Sequence, residues 1–142
     1  MSEIESKSEQ NLRMARLSIE KACYATSIHC SYYACVQFMT HLLYDYYEKS
    51  DEEISIQQKQ ISKELAGGFH VWIINFFVIK LLPFEGGKIA RDFSSDATQL
   101  KKWRVFADYK AKKITSDQAK QAQTYSENIL KILQNYIKNK SS

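Results

Sequence analysis

Proline and glycine are scarce. The 142 residues hold one proline, Pro83, and four glycines, Gly67, Gly68, Gly86 and Gly87. An all-β fold needs turn residues throughout, so their confinement to one stretch favours long helices over many short strands. Cysteine is sparse as well, with Cys23, Cys30 and Cys35 alone. An odd count without C-x-x-C spacing argues against a disulfide framework and against a zinc site. Cys35 falls on an apolar helical face and reads as a small buried hydrophobe. The three histidines, His29, His41 and His70, lack metal-ligand spacing. On a straight helix His29 and His41 would stand about 18 Å apart. P-loop, G-x-S-x-G, H-E-x-x-H and dinucleotide-binding glycine patterns are missing. No metal and no cofactor is therefore expected. The apolar run over residues 69–84 is too short to span a bilayer comfortably, and His70, Asn75 and Lys80 interrupt it. Residues 1–10 are polar and acidic, unlike a signal peptide. These absences predict a cytoplasmic chain with no membrane partner.

What is present suits an all-α fold. The chain is 44% hydrophobic and 25% charged, ordinary for a globular domain, and long enough for one continuous core. A single domain over residues 1–142 is expected, with its core over about 10–137 and frayed ends. Leu12, Ala15, Ile19 and Ala22 recur at helical steps and predict a first helix over 8–23. Ile28, Tyr32, Cys35, Val36, Met39, Leu42, Leu43 and Tyr46 mark a second, with Thr26 or Ser27 as its N-cap, fading near Lys49. Ile54, Ile56, Ile61 and Leu65 suggest a short helix that Gly67-Gly68 stops. Residues 71–82 read as a buried helix ended by Pro83, and 84–91 as a loop. Ala97, Leu100, Trp103 and Ala107 trace a helix over 93–112. Thr115 and Gln118 fit a capping box, opening a last helix to about Lys138 with Ala119, Ala122, Ser126, Ile129, Leu133, Tyr136 and Ile137 inward. Four long helices and one or two short ones, joined by short connections, predict an antiparallel up-and-down bundle.

Charge is unevenly divided. Residues 1–66 carry 7 Lys+Arg against 10 Asp+Glu, net −3, and residues 67–142 carry 13 against 6, net +7, together the +4 of the chain. A basic half suits nucleic acid or an acidic partner, although most such lysines line solvated helix faces. Within it lies the stretch WRVFADY, residues 103–109. Arg104 and Asp108 are i, i+4 neighbours, and Arg104 shares the inward stripe with Leu100 and Ala107. A guanidinium there keeps its charge, so it needs a paired anion or a wet cleft. Asp108 can supply the anion as a structural tether, or it can hold the arginine toward a phosphate. Tyr32, Tyr33 and His29 form a second polar-aromatic group. If the helices carrying the two groups pack together, a tyrosine hydroxyl reaches the Arg104–Asp108 pair; a core tyrosine with a satisfied hydroxyl is the plainer reading.

Residues 24–34, YATSIHCSYYA, resemble the second helix of small prokaryotic HEPN proteins. Arg104-x-x-Ala107-Asp108-Tyr109 resembles their R-x-x-A-D-Y helix, and the capped helix after Thr115 their final one. The resemblance spans residues 10–137 and rests on the order and separation of short motifs. It implies an α-helical bundle, often a homodimer. Many members are metal-independent ribonucleases, some of them toxins paired with a minimal nucleotidyltransferase antitoxin, with an R-x4-6-H motif from two copies meeting at the dimer interface. Arg104 matches the motif arginine. Tyr109, Lys110 and Ala111 stand where the histidine would, Val105 replaces the polar residue after the arginine, and His29 or His70 could reach the cleft only from another helix. The resemblance thus implies a non-catalytic or weakly catalytic homodimer that binds RNA, a nucleotide or a partner protein through Arg104, with Tyr32, Tyr33, His29 and Lys101 as further binding residues. Two alternatives remain: an active ribonuclease working through Arg104, Asp108 and Tyr109, and a purely structural helical interaction protein.

Overall fold

The computed structural model describes residues 2–62, 68–109 and 113–141. Six α-helices occur among them: α1 (Glu3–Glu20), α2 (Tyr24–His41), α3 (Asp51–Ser62), α4 (Phe69–Leu81), α5 (Lys88–Tyr109) and α6 (Ser116–Ser141). A π-helical turn, Leu42–Tyr46, extends α2, and a 3-10 turn, Phe84–Gly87, precedes α5.

Helix α1 starts at Glu3, five residues before the expected start at residue 8. Ser2 caps it, its Oγ accepting from the Glu5 amide at 3.0 Å, and Glu3 and Glu5 place negative charge at the positive end of the helix dipole. The far end of α2 grips this start. His41 Nδ1 lies 2.7 Å from Ser2 Oγ and 2.8 Å from Asp45 Oδ2, and its Nε2 is 3.7 Å from Glu5 Oε1. At its other end α1 closes with paired bonds, Cys23 N–H to Ser18 O and Ala22 N–H to Ile19 O. This closure puts Ala22 in the left-handed region, at φ 58°, and leaves it exposed rather than on the predicted inner stripe. Glycine suits that position better. Ala22→Gly is expected to stabilise the fold by about 1 kcal/mol, read as a higher urea midpoint at unchanged m-value.

The tight turn also moves the start of α2. Helix α2 begins at Tyr24 with Cys23 as a cap whose side chain makes no bond to the helix start, so Thr26 and Ser27 lie inside the helix. Ser27 is fully buried and its hydroxyl donates to Ala15 O at 2.7 Å. Two other serines knit helices in the same way: Ser8 to Ala34 O at 2.6 Å, and Ser126 to Ser31 O at 2.7 Å. A small side chain that satisfies its hydroxyl on a neighbouring backbone lets two helices approach closely without stranding a polar group.

These bonds set the helix directions. Ser8–Ala34 and Ala15–Ser27 run α1 against α2, while Ser31–Ser126 and Tyr47–Tyr136 run α6 along it. Helix α5 opposes α2, since Asp108 meets His29 and Arg104 meets Tyr32. The four long helices α1, α2, α5 and α6 therefore alternate up and down, as the periodicity predicts. Helix α2 sits at the centre and packs on α1, α4, α5 and α6.

Helix α4 is apolar nearly all round, yet only one face is buried. Trp72, Ile73, Phe77 and Leu81 point into the core, whereas Ile79 is 53% exposed. The expected fully buried helix is thus a half-buried one that Leu82 and Pro83 end. The region expected to be a loop up to residue 91 is mostly helical. A turn with Glu85, Gly86 and Gly87 all at positive φ lets α5 start at Lys88, which places Phe93 fully inside the core. Of the predicted stop at Gly67-Gly68, Gly67 lies outside the described residues and Gly68 is the N-cap of α4; the predicted end of α5 at Lys112 also lies outside them. Helix α6 opens as expected: Thr115 N–H donates to Gln118 Oε1 at 2.9 Å, and Gln118 N–H donates to Thr115 Oγ1 at 3.2 Å.

Candidate functional site

The helix directions bring three helix ends to one end of the bundle: the start of α2, the start of α4 and the end of α5. Each contributes side chains at helical spacing. Helix α2 gives His29, Tyr32 and Tyr33, its first turns facing α5. Helix α4 gives His70, one residue into its first turn. Helix α5 gives Lys101, Arg104 and Asp108, successive positions on one face.

Arg104 is at the centre. Its side chain is 14% exposed. The guanidinium carbon lies 5.1 Å from the centre of the Tyr32 ring, a cation–π arrangement. One Nη donates to Asp108 Oδ2 at a long 3.5 Å, and the buried Nε has no hydrogen-bond partner. The other carboxylate oxygen, Asp108 Oδ1, lies 3.3 Å from His29 Nδ1. An ionised carboxylate only accepts, so His29 donates from Nδ1 and its Nε2 is the free nitrogen. One carboxylate therefore holds both the guanidinium and an imidazole.

A second imidazole closes the cluster. His70 Nδ1 shares a 2.9 Å hydrogen bond with the Tyr32 hydroxyl. Tyr33 stands between the histidines, 4.6 Å from the His29 ring centre and 5.7 Å from that of His70. Burial lowers the pKa of His70, and the charges of Arg104 and Lys101 lower it further, so at neutral pH it is an uncharged ring beside a fixed cation. Burial pushes the Tyr32 phenol up to about 12, against the opposing pull of Arg104. For Arg104 burial works against the charge, but Tyr32, Tyr33 and Asp108 outweigh it, and its pKa is raised.

No family model, curated protein or solved structure matches this chain.

Six of the seven side chains singled out in the sequence thus lie at one end of the bundle: Arg104, Asp108, His29, Tyr32, Tyr33 and, through its field on His70, Lys101. It is the Tyr32 ring, with its hydroxyl turned to His70, that lies against the guanidinium. Tyr109 stands apart. At the end of described α5 it is 73% exposed and makes no hydrogen bond or ring contact with the cluster. Lys110 and Ala111, the other positions at the spacing of the motif histidine, lie outside the described residues. His70 is the residue least legible in the sequence, because only the parallel packing of α4 on α2 brings it to Tyr32. The tyrosine pair and the α4 start are its sequence signal, and both are weak.

The arrangement is suited to an oxyanion. A planar guanidinium with unused donors, a neutral imidazole and a nearby lysine can bind phosphate oxygens, and Asp108 keeps the guanidinium oriented.

Proposed function

We propose that this chain is a HEPN-like helical protein that acts as a homodimer and binds RNA through its phosphates at Arg104, with no metal. The observation that carries the reading is the buried, unpartnered Nε of Arg104. A buried donor on a permanent cation is costly to leave unmade, and with one long bond to Asp108 the guanidinium is under-paired, so a phosphate on its outer Nη donors would add the hydrogen bonds it lacks. The net +7 of residues 67–142 supports the same ligand by drawing polyanions to this half of the chain. A nucleotide presents the same phosphate chemistry, and RNA offers it repeatedly.

The test is fluorescence anisotropy with a labelled single-stranded RNA in EDTA. Affinity is expected to fall about tenfold between 50 and 200 mM salt, the loss for two or three neutralised phosphates. Absence of binding at the lower salt, or binding indifferent to salt, would overturn the reading.

One observation favours a second reading, a metal-independent ribonuclease acting as the toxin of a pair with a nucleotidyltransferase antitoxin. The Asp108–His29 pair beside Arg104 places a proton-transfer group next to a phosphate anchor, and it comes from another helix than the family motif would use. In that case the RNA of the same experiment is cut in EDTA, and both Arg104→Ala and His29→Ala stop the cutting. Exposed Tyr109 is then the residue to examine as an acceptor of a nucleotidyl group.

A further inference from the structure

We propose that His29, backed by Tyr33, is a base-stacking seat that makes this site select unpaired nucleotides. The proposal rests on the phosphate reading of Arg104 and adds the part of the ligand that a guanidinium cannot recognise.

His29 and Tyr33 are i, i+4 neighbours on α2, and their ring centres are 4.6 Å apart at an angle of 36°. Tyr33 thus covers one side of the imidazole. The His29 side chain is nevertheless 48% exposed, so Tyr33 and Asp108 leave about half of it to solvent. An aromatic ring with one face backed and one face open is what a nucleobase needs to extend a stack.

The ring is also held still. Asp108 Oδ1 fixes its Nδ1 at 3.3 Å. Tyr33 is boxed in behind it by Tyr32, edge-on at 5.4 Å, and by His70, edge-on at 5.7 Å. Little motion has to be frozen when a base arrives.

The same carboxylate connects the seat to the phosphate anchor. Asp108 Oδ1 meets His29 and Asp108 Oδ2 meets Arg104. A nucleotide with its phosphate on Arg104 therefore has its own base beside the His29 ring. Bases in a duplex are already paired and stacked on both faces, so a duplex offers phosphates to Arg104 but no free face to His29. Stacking tolerates any base and favours the larger purine surface.

The experiment compares three labelled probes at fixed salt: a short purine-rich single-stranded RNA, the same strand annealed to its complement, and the same strand with abasic positions. The expected result is that wild-type protein binds the single strand about tenfold more tightly than the other two. His29→Ala removes that preference, so that single strand, duplex and abasic probe bind alike, while His29→Phe, which keeps a flat ring and no ionisable nitrogen, retains it. Thermal melts establish that both variants, changed at an exposed side chain, are folded. Equal wild-type affinity for single strand and duplex would overturn the proposal. So would equal losses in His29→Ala and His29→Phe, which would assign the residue a proton or hydrogen-bond role. If Arg104→Ala weakens every probe while His29→Ala alters none, the phosphate reading stands and the stacking seat falls; if wild-type protein binds no probe, both fall.

Discussion

Phe77→Ala is expected to destabilise the protein by about 3–5 kcal/mol, the largest effect of any single core truncation argued from this structure. Phe77 is fully buried on α4, with the Phe76 ring at 5.1 Å and the Tyr47 ring at 6.2 Å. Helix α4 has only 13 residues, too few to be stable by itself, so its docking depends on the Ile73, Phe77 and Leu81 stripe. Removing the ring loses its transfer free energy and leaves a cavity that neighbouring aromatic rings fill poorly. Thermal unfolding by circular dichroism should show a midpoint lowered by roughly 10–17 °C. Ile79→Ala, at a 53% exposed position on the other face, should change stability by no more than about 0.5 kcal/mol. Similar effects from the two substitutions would mean that α4 docks through a different face. Because α4 carries His70, loosening it also loosens the cluster around Tyr32.

This contrast shows what the sequence could reveal about the fold. Where apolar residues alternate with polar ones, as in α2 and α6, the buried face is readable: Ile28, Cys35, Met39, Ala122, Ile129 and Leu133 are all inside. In α4 every face is apolar, so periodicity establishes a helix but not its orientation. The helix starts follow a similar logic. The Thr115–Gln118 box is local chemistry within four residues and was legible. Ser27 is chemically a good cap, yet it is used between helices, because a turn closed on Ala22 lets α2 start four residues earlier. Nothing in local spacing distinguishes a serine that caps from one that bonds across to another helix.

The site divides along the same line. Arg104 and Asp108 belong to one helix, so their pairing follows from i, i+4 geometry. Asp108 with His29 spans 79 positions and Tyr32 with His70 spans 38. Both contacts depend on the register between helices, and register follows from packing such as the Ser126–Ser31 bond rather than from the motif residues themselves. Tyr109, adjacent to Asp108 in sequence, is about 100° further round α5 and so belongs to a different face.

Arg104→Ala is expected to weaken single-stranded RNA binding about 100-fold, the value of a charge-assisted, two-pronged phosphate contact in a half-buried setting. Arg104→Lys should recover part of this, leaving a loss of about tenfold, since an ammonium keeps the charge but not the planar fork. Stability should change little, by about 1 kcal/mol, because the Asp108 contact is long and partly exposed and the Tyr32 contact is modest. A purely structural tether predicts the reverse, with stability lowered and RNA affinity untouched. His70 supplies an internal gauge that needs no ligand. Burial keeps its pKa down and Arg104 adds to the depression, so Arg104→Ala should let the pKa rise toward, without reaching, the ordinary 6.5. The imidazole proton resonances of His70 report this directly. The sign carries over to stability: below about pH 6.5 the unfolded chain takes up a proton that folded His70 resists, so wild-type stability falls as the pH drops from there to the folded pKa. Without the guanidinium that interval narrows and the acid-induced loss shrinks. A variant in which the His70 titration moves while RNA affinity stays constant would show that the guanidinium faces His70 but serves no phosphate.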